Sequence, residues 1–110
     1  MEKSYSLEEK LQHIKDIILK NVPARYIYLF GSYAYGEPKD ESDVDIYAVI
    51  PDEIEKNPFL RGTILGELGD LKIYEIDLII KTESVFNYRK TRSLFESNIF
   101  KKGKLIYEYS

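Results

Sequence analysis

The stretch Asp43-Val44-Asp45-Ile46-Tyr47-Ala48-Val49-Ile50 constrains this chain most, because it sets two acids one residue apart inside an apolar, β-branched run. Such a run reads as a strand. In a strand, residues i and i+2 share a face. Asp43 and Asp45 therefore project together, while Val44, Ile46 and Ala48 face the other way into a core. Pro51 closes the strand. Upstream, Tyr26-Ile27-Tyr28-Leu29-Phe30 reads as another strand, ending at Gly31, where the chain can turn tightly. Ser32 to Gly36 is expected as a short helix with Ser32 as its N-cap, and Glu37 to Ser42 as a polar loop.

The flanking segments supply helices. Ser6 and Glu9 form a capping-box pattern. Leu7, Leu11, Ile14 and Ile18 follow at helical spacing, widened by Ile17. This helix should stop near Asn21, since Pro23 disfavours helix at Val22. His13, the only histidine, lies within it and reads as a surface or core-edge residue. Residues 52 to 72 predict a loop and then an irregular helix. Phe59, Leu60, Ile64, Leu65 and Leu68 suggest a stripe that Gly62, Gly66 and Gly69 weaken. Lys72 to Lys81 reads as a third strand. Ser84 is expected to cap a helix over Val85 to Lys90. A further helix, Thr91 to Lys102, should turn Leu94, Phe95 and Ile99 inward and stop at Gly103. Lys104 to Tyr109 suits a short last strand.

The 110 residues suit one domain, 1-110: enough for a sheet with helices on it, too few for a large substrate-binding domain as well. With no cysteine, disulfides, zinc-thiolate sites and thiol nucleophiles are excluded. No signal-peptide pattern and no membrane-length apolar run is present, so a cytoplasmic protein without a membrane partner is expected. The net charge of -3 divides unevenly. Residues 81 to 110 hold seven Lys or Arg and three Glu, a net of +4, leaving -7 on residues 1 to 80. The acidic body argues against nucleic acid as a direct partner. The basic segment could meet a triphosphate, RNA or an acidic partner, or form solvated helix faces.

Asp77 adds the decisive feature. It sits between Ile76 and Leu78 in the third strand, where a charge is least expected. If the second and third strands are neighbours, it joins Asp43 and Asp45. Two unit charges about 4 Å apart repel by roughly 4 kcal/mol at an effective dielectric of about 20. Either the carboxyl pKa values rise or a divalent cation neutralises the cluster. Carboxylates, water and substrate phosphates are the ligands of Mg²⁺. Two ions about 3.5–4 Å apart can clamp the attacking and leaving oxygens of a phosphoryl displacement. Gly31 lets a phosphate approach the backbone, the following helix start offers N–H groups, and Ser32 Oγ can add a hydrogen bond.

Each part alone is weak. Asp-x-Asp is commonest as surface acids, and an Asp in strand three could be an edge residue facing water. A calcium loop opening at Asp43 fails at Tyr47, Ala48 and Ile54, where a ligand, a glycine and a closing glutamate are required.

Gly31-Ser32, ten residues, and then Asp43-x-Asp45 resembles the signature of the polymerase-beta-like nucleotidyltransferase superfamily. The string GSYAYGEPKDESDVD is most similar to its minimal nucleotidyltransferases, and the resemblance covers roughly residues 5 to 108. It implies an α/β (α+β) fold, a small mixed β-sheet with helices packed on it. It implies that Asp43 and Asp45 bind two Mg²⁺ ions and the triphosphate. Asp77 would complete the second metal site and help activate the attacking hydroxyl, while Gly31 and Ser32 hold the triphosphate. It further implies an antitoxin encoded beside a HEPN-domain ribonuclease toxin, neutralising it by moving AMP from ATP onto a toxin tyrosine. Many relatives carry basic residues where this chain has Tyr33 and Tyr35. Arg25, Lys39, Arg89 or Arg92 could substitute, and the two tyrosines could stack on a base or partner or simply pack. Two other functions fit the residues: a non-catalytic module that masks the toxin, and nucleotidyl transfer to a small molecule, which would need elements supplied by a homo-oligomer.

Overall fold

A computed structural model describes residues 5–36, 43–54 and 57–109. The first element is α1 (Leu7–Asn21). Ser6 and Glu9 cap it reciprocally, the Ser6 side chain accepting from Glu9 N–H and the Glu9 carboxylate accepting from Ser6 N–H. Next come β1 (Tyr26–Phe30), the one-turn helix α2 (Ser32–Tyr35), β2 (Val44–Ile50) and α3 (Leu60–Asp70). The rest is β3 (Ile76–Thr82), α4 (Glu83–Arg89), α5 (Leu94–Lys102) and β4 (Lys104–Glu108). No helix among the described residues is long and apolar enough to cross a membrane.

The four strands form one mixed sheet in the order β3-β2-β1-β4. β1 pairs antiparallel with β2 and β4, while β2 and β3 run parallel, so the chain must cross over between them. α3 lies in that crossover. With α1 it covers one face, where Ile14, Ile18, Ile64 and Leu68 close over Ile27, Leu29, Ile46 and Ala48. The opposite face carries Tyr28, Phe30, Tyr47 and Val49, covered by Phe86 of α4 and Ile99 of α5. β2 is thus buried on both sides along most of its length.

Several expectations shift. α3 is a regular helix despite its three glycines, because Ile64 and Leu68, one turn apart, are both fully buried. Phe59 lies outside its apolar stripe, precedes the helix and is 74% exposed. The third strand starts at Ile76 rather than Lys72. Residues before it close α3 with bonds from Lys72 N to Gly69 O and from Ile73 N to Leu68 O, a left-handed Schellman turn with Lys72 at φ 63°. α4 begins two residues earlier than Ser84 would set it: Thr82 is the capping residue, and Ser84 N–H donates to Asp52 Oδ1 at 3.0 Å.

α5 starts after Ser93, not at Thr91. That phase turns Glu96 and Ile99 to the sheet and leaves Leu94 78% exposed and Phe95 44% exposed. Gly103 does end α5, at an ordinary φ of -66°. What it supplies is room: a Cβ there would lie 2.5 Å from Ile99 O and 3.2 Å from Leu29 O. His13 is half-buried, with its ring edge-on to Tyr5 at 5.1 Å. The loop expected over Glu37 to Ser42 lies outside the described residues.

Candidate active site

Antiparallel pairing brings the end of β1 to the start of β2, and parallel pairing brings the start of β3 to the same edge of the sheet. Phe30 lies opposite Asp45, and Asp45 lies in register with Asp77. Neighbouring strands are about 4.8 Å apart and in-register residues share a face, so Asp45 and Asp77 stand side by side. Val44 N–H donates to Glu75 O at 2.9 Å, which pins the register where it matters. Asp43 precedes β2 by one residue and is exposed.

Asp45 feels both its burial and its acidic neighbours. Asp45 is half-buried, and its pKa is raised, first by burial, then by the Asp77 charge, then by Asp43. Asp77 is exposed on β3, which is an edge strand, so it also meets water. Among the described residues no three Asp, Glu or His side chains form a ready-made cage for a metal ion. The donor set fits a hard cation whose shell is completed by water and phosphate, the way Mg²⁺ is commonly held.

Gly31 closes the site from the other side. Its φ of 74° and ψ of -153° lie in a region only glycine occupies readily. A Cβ there would also overlap Asp45 Oδ2 and come within 2.9 Å of Asp45 Cγ. Glycine is therefore required twice: for the turn and for the space the carboxylate fills. Gly31, not Ser32, is the N-cap of α2, and Ser32 is its first helical residue. Gly31 O accepts from Ala34 N–H at 3.0 Å and Tyr35 N–H at 3.1 Å. Ser32 N–H has no hydrogen-bond partner among the described residues. With one turn of helix the macrodipole is small, so local N–H groups are what this turn offers a phosphate.

Tyr33 packs against the aliphatic core, and Tyr35 is 46% exposed. The basic residues considered as substitutes are engaged elsewhere. Arg25 precedes β1 at the opposite end of the sheet, 3.8 Å from Glu83 and stacked on Tyr109. Arg89 pairs with Glu96 at 3.5 Å, and Arg92 lies over the Tyr88 ring. Lys39 is outside the described residues.

Behind the acids lies a group the sequence pattern did not expose. Tyr47, two residues from Asp45 on the same face, donates its hydroxyl to Glu96 Oε2 at 3.0 Å. Glu96 is 3% exposed. Burial pushes its pKa up, but hydrogen bonds from Ser93, Tyr47 and its own backbone, with the Arg89 charge, leave it below the usual value. Burial and the Glu96 carboxylate push the Tyr47 hydroxyl far up. The only hint in sequence is Ser93-x-x-Glu96, a capping-box spacing.

A family profile described as Polymerase beta, Nucleotidyltransferase matches residues 12–110. A Methanocaldococcus jannaschii protein named "putative protein adenylyltransferase" is 33% identical over 74% of this chain and 76% of its own length. Among solved structures, a chain of a toxin-antitoxin crystal structure with AMP-PNP superposes with a TM-score of 0.58 at 22% identity, covering 90% of this chain and 73% of that one. A chain from the complex of tri-AMPylated Shewanella oneidensis HEPN toxin with MNT antitoxin gives 0.54 at 21% identity, covering 91% and 73%. At such identities the two structural likenesses speak to the fold, and they bear out the mixed sheet with packed helices.

Proposed function

The chain belongs to the polymerase beta, nucleotidyltransferase family, and we propose that it moves AMP from ATP onto a tyrosine hydroxyl of a HEPN-domain ribonuclease toxin, as that toxin's Mg²⁺-dependent antitoxin. The observation that carries this reading is the register setting Asp45 beside Asp77 where β1 turns at Gly31. The name of the M. jannaschii relative supports protein adenylylation, and the HEPN complex supports the partner class. Residues 1-110 would act as one nucleotidyltransferase domain.

Asp43 and Asp45 would hold two Mg²⁺ ions with the triphosphate, and Asp77 would complete the second metal site. When bound, the ions neutralise phosphate charge and favour in-line displacement. Gly31 admits the phosphates against the backbone, and Ser32 offers its N–H and Oγ. The acceptor oxygen bonds to the α-phosphorus as the bond to the β-bridging oxygen breaks, and pyrophosphate leaves. The hydroxyl proton passes toward Asp77, whose exposure lets it return the proton to water.

Incubation with labelled ATP, Mg²⁺ and the product of the neighbouring gene should add AMP to a tyrosine, seen by mass spectrometry. Asp45→Asn should lose about 10³-fold in transfer, the loss of several kcal/mol of transition-state stabilisation, while remaining folded. Wild-type transfer by that variant sinks the mechanism. Steric masking is the second reading, favoured by exposed Leu94 and Phe95 on α5 beside Phe30. Neutralisation that survives replacement of Asp43, Asp45 and Asp77 together would select it.

A further inference from the structure

We infer that a groove at the far end of β2 and β3 binds a small amphipathic anion, an apolar chain or ring with a single carboxylate or phosphate head. The groove encloses about 530 Å³, within the range of small-molecule pockets. Its apolar walls include Ile50, Ile54, Ile80 and Val85, and its cations are Arg61 and Lys81.

This is not the acid site. Asp45 and Ile50 are five residues apart along β2, about 16 Å. Ile50 and Ile80 pack on the aliphatic side of the sheet, whereas Asp45 and Asp77 alternate onto the aromatic side.

The cations give the groove its sign. Arg61 Nε donates to Leu78 O at 2.8 Å, which fixes the guanidinium at the edge of β3. Its other N–H groups, and Lys81 Nζ, have no hydrogen-bond or ion-pair partner among the described residues. Of the described carboxylates beside the groove, Asp52 accepts from Ser84 N–H and Glu83 faces Arg25, while Glu53 is exposed to solvent. A guanidinium held by one N–H keeps a fork for a planar anion. An alkyl or aryl body would displace water from the isoleucine walls.

The test follows side-chain methyl NMR signals of the whole chain during titration with octanoate, octyl phosphate and octylamine. One or both anions should saturably shift Ile50, Ile54, Ile80 and Val85 while Ile14 and Ile18 stay still, and octanoate or octyl phosphate should identify the head group. Octylamine should bind the same methyls at least about tenfold more weakly, the value of one charge-assisted hydrogen bond. Lys81→Met, which leaves the Arg61–Leu78 bond intact, should weaken the anion by a similar factor. Equal affinity for the amine, shifts centred on Leu94 and Leu105, or no shift at all would overturn the assignment. No arm reads nucleotide transfer, so the outcome stands apart from the proposed reaction.

Discussion

The two faces of the sheet are built on different chemistry. The α1/α3 side is aliphatic: Ile14, Ile18, Ile27, Ile46, Ile64 and Leu68 are fully buried, and its ion pair, Lys20 with Glu67 at 2.7 Å, lies at the surface between helices. The α4/α5 side is aromatic and partly charged: Tyr28, Phe30, Tyr47 and Phe86 pack with ring centroids 5.4–6.3 Å from their neighbours, around a buried Glu96. Only the second side continues into the acids, since Tyr47 and Asp45 share its face. The aliphatic layer is a stabilising slab. The aromatic layer also fixes the wall of the candidate site.

The largest effects test that division directly. Phe86→Ala should cost about 3–5 kcal/mol and Ile64→Ala about 2–5 kcal/mol in denaturant unfolding. Under conditions where both remain folded, transfer should fall in Phe86→Ala and stay near wild type in Ile64→Ala. Equal losses of transfer would break the comparison.

The aliphatic side was legible because its pattern is simple. Apolar residues at period 3.6 in α1, and the alternating Ile27 and Leu29 of β1 and Val44, Ile46 and Ala48 of β2, point where the rules require. The acids were legible because Asp45 and Asp77 interrupt apolar strands, and no packing need explains them. The aromatic side was not. Leu94 and Phe95 look like core residues, yet the cap at Ser93 sets a helix phase that sends Glu96 inward. A glutamate on a helix normally reads as solvated, and its partner Tyr47 is 49 residues away. The turn at Gly31 is visible in the sequence, but its second role, leaving room for Asp45, depends on strand register that local pattern does not contain. At the site's other half, the hydroxyl of Ser32 suggests a cap, yet the cap lies one residue earlier, at Gly31.

Breaking the buried polar link sharpens the same contrast at a smaller scale. Tyr47→Phe leaves Glu96 short of a donor and should cost about 1–3 kcal/mol. The pH dependence has a defined sign. Glu96 sits below its ordinary 4.5 in the folded chain, so its contribution is present above that pH and is lost as pH falls through the folded value. Glu96→Gln should therefore be less stable at neutral pH but show a shallower acid limb in Tm against pH. An unchanged acid limb would mean that other carboxylates dominate.

Gly31→Ala should cost about 1–3 kcal/mol from backbone strain alone. It should also lose transfer out of proportion, because the methyl group displaces the Asp45 carboxylate. Transfer falling only in step with the folded fraction would show that Asp45 can move without consequence.

The smallest expected change has the opposite sign and uses the same substitution on the aliphatic side. A Cβ at Gly66 of α3 would meet nothing within 4 Å, and the residue is helical and exposed. Gly66→Ala therefore adds no clash and removes unfolded-state freedom, so it should stabilise by about 0.5–1 kcal/mol. For a chain of this size that is a rise in Tm of roughly 2–8 °C. Because α3 closes the slab and not the site wall, transfer at a fixed temperature well below Tm should be unchanged. If Gly66→Ala stabilises the chain and also slows transfer, motion of α3 enters the reaction, and the aliphatic layer is more than a slab.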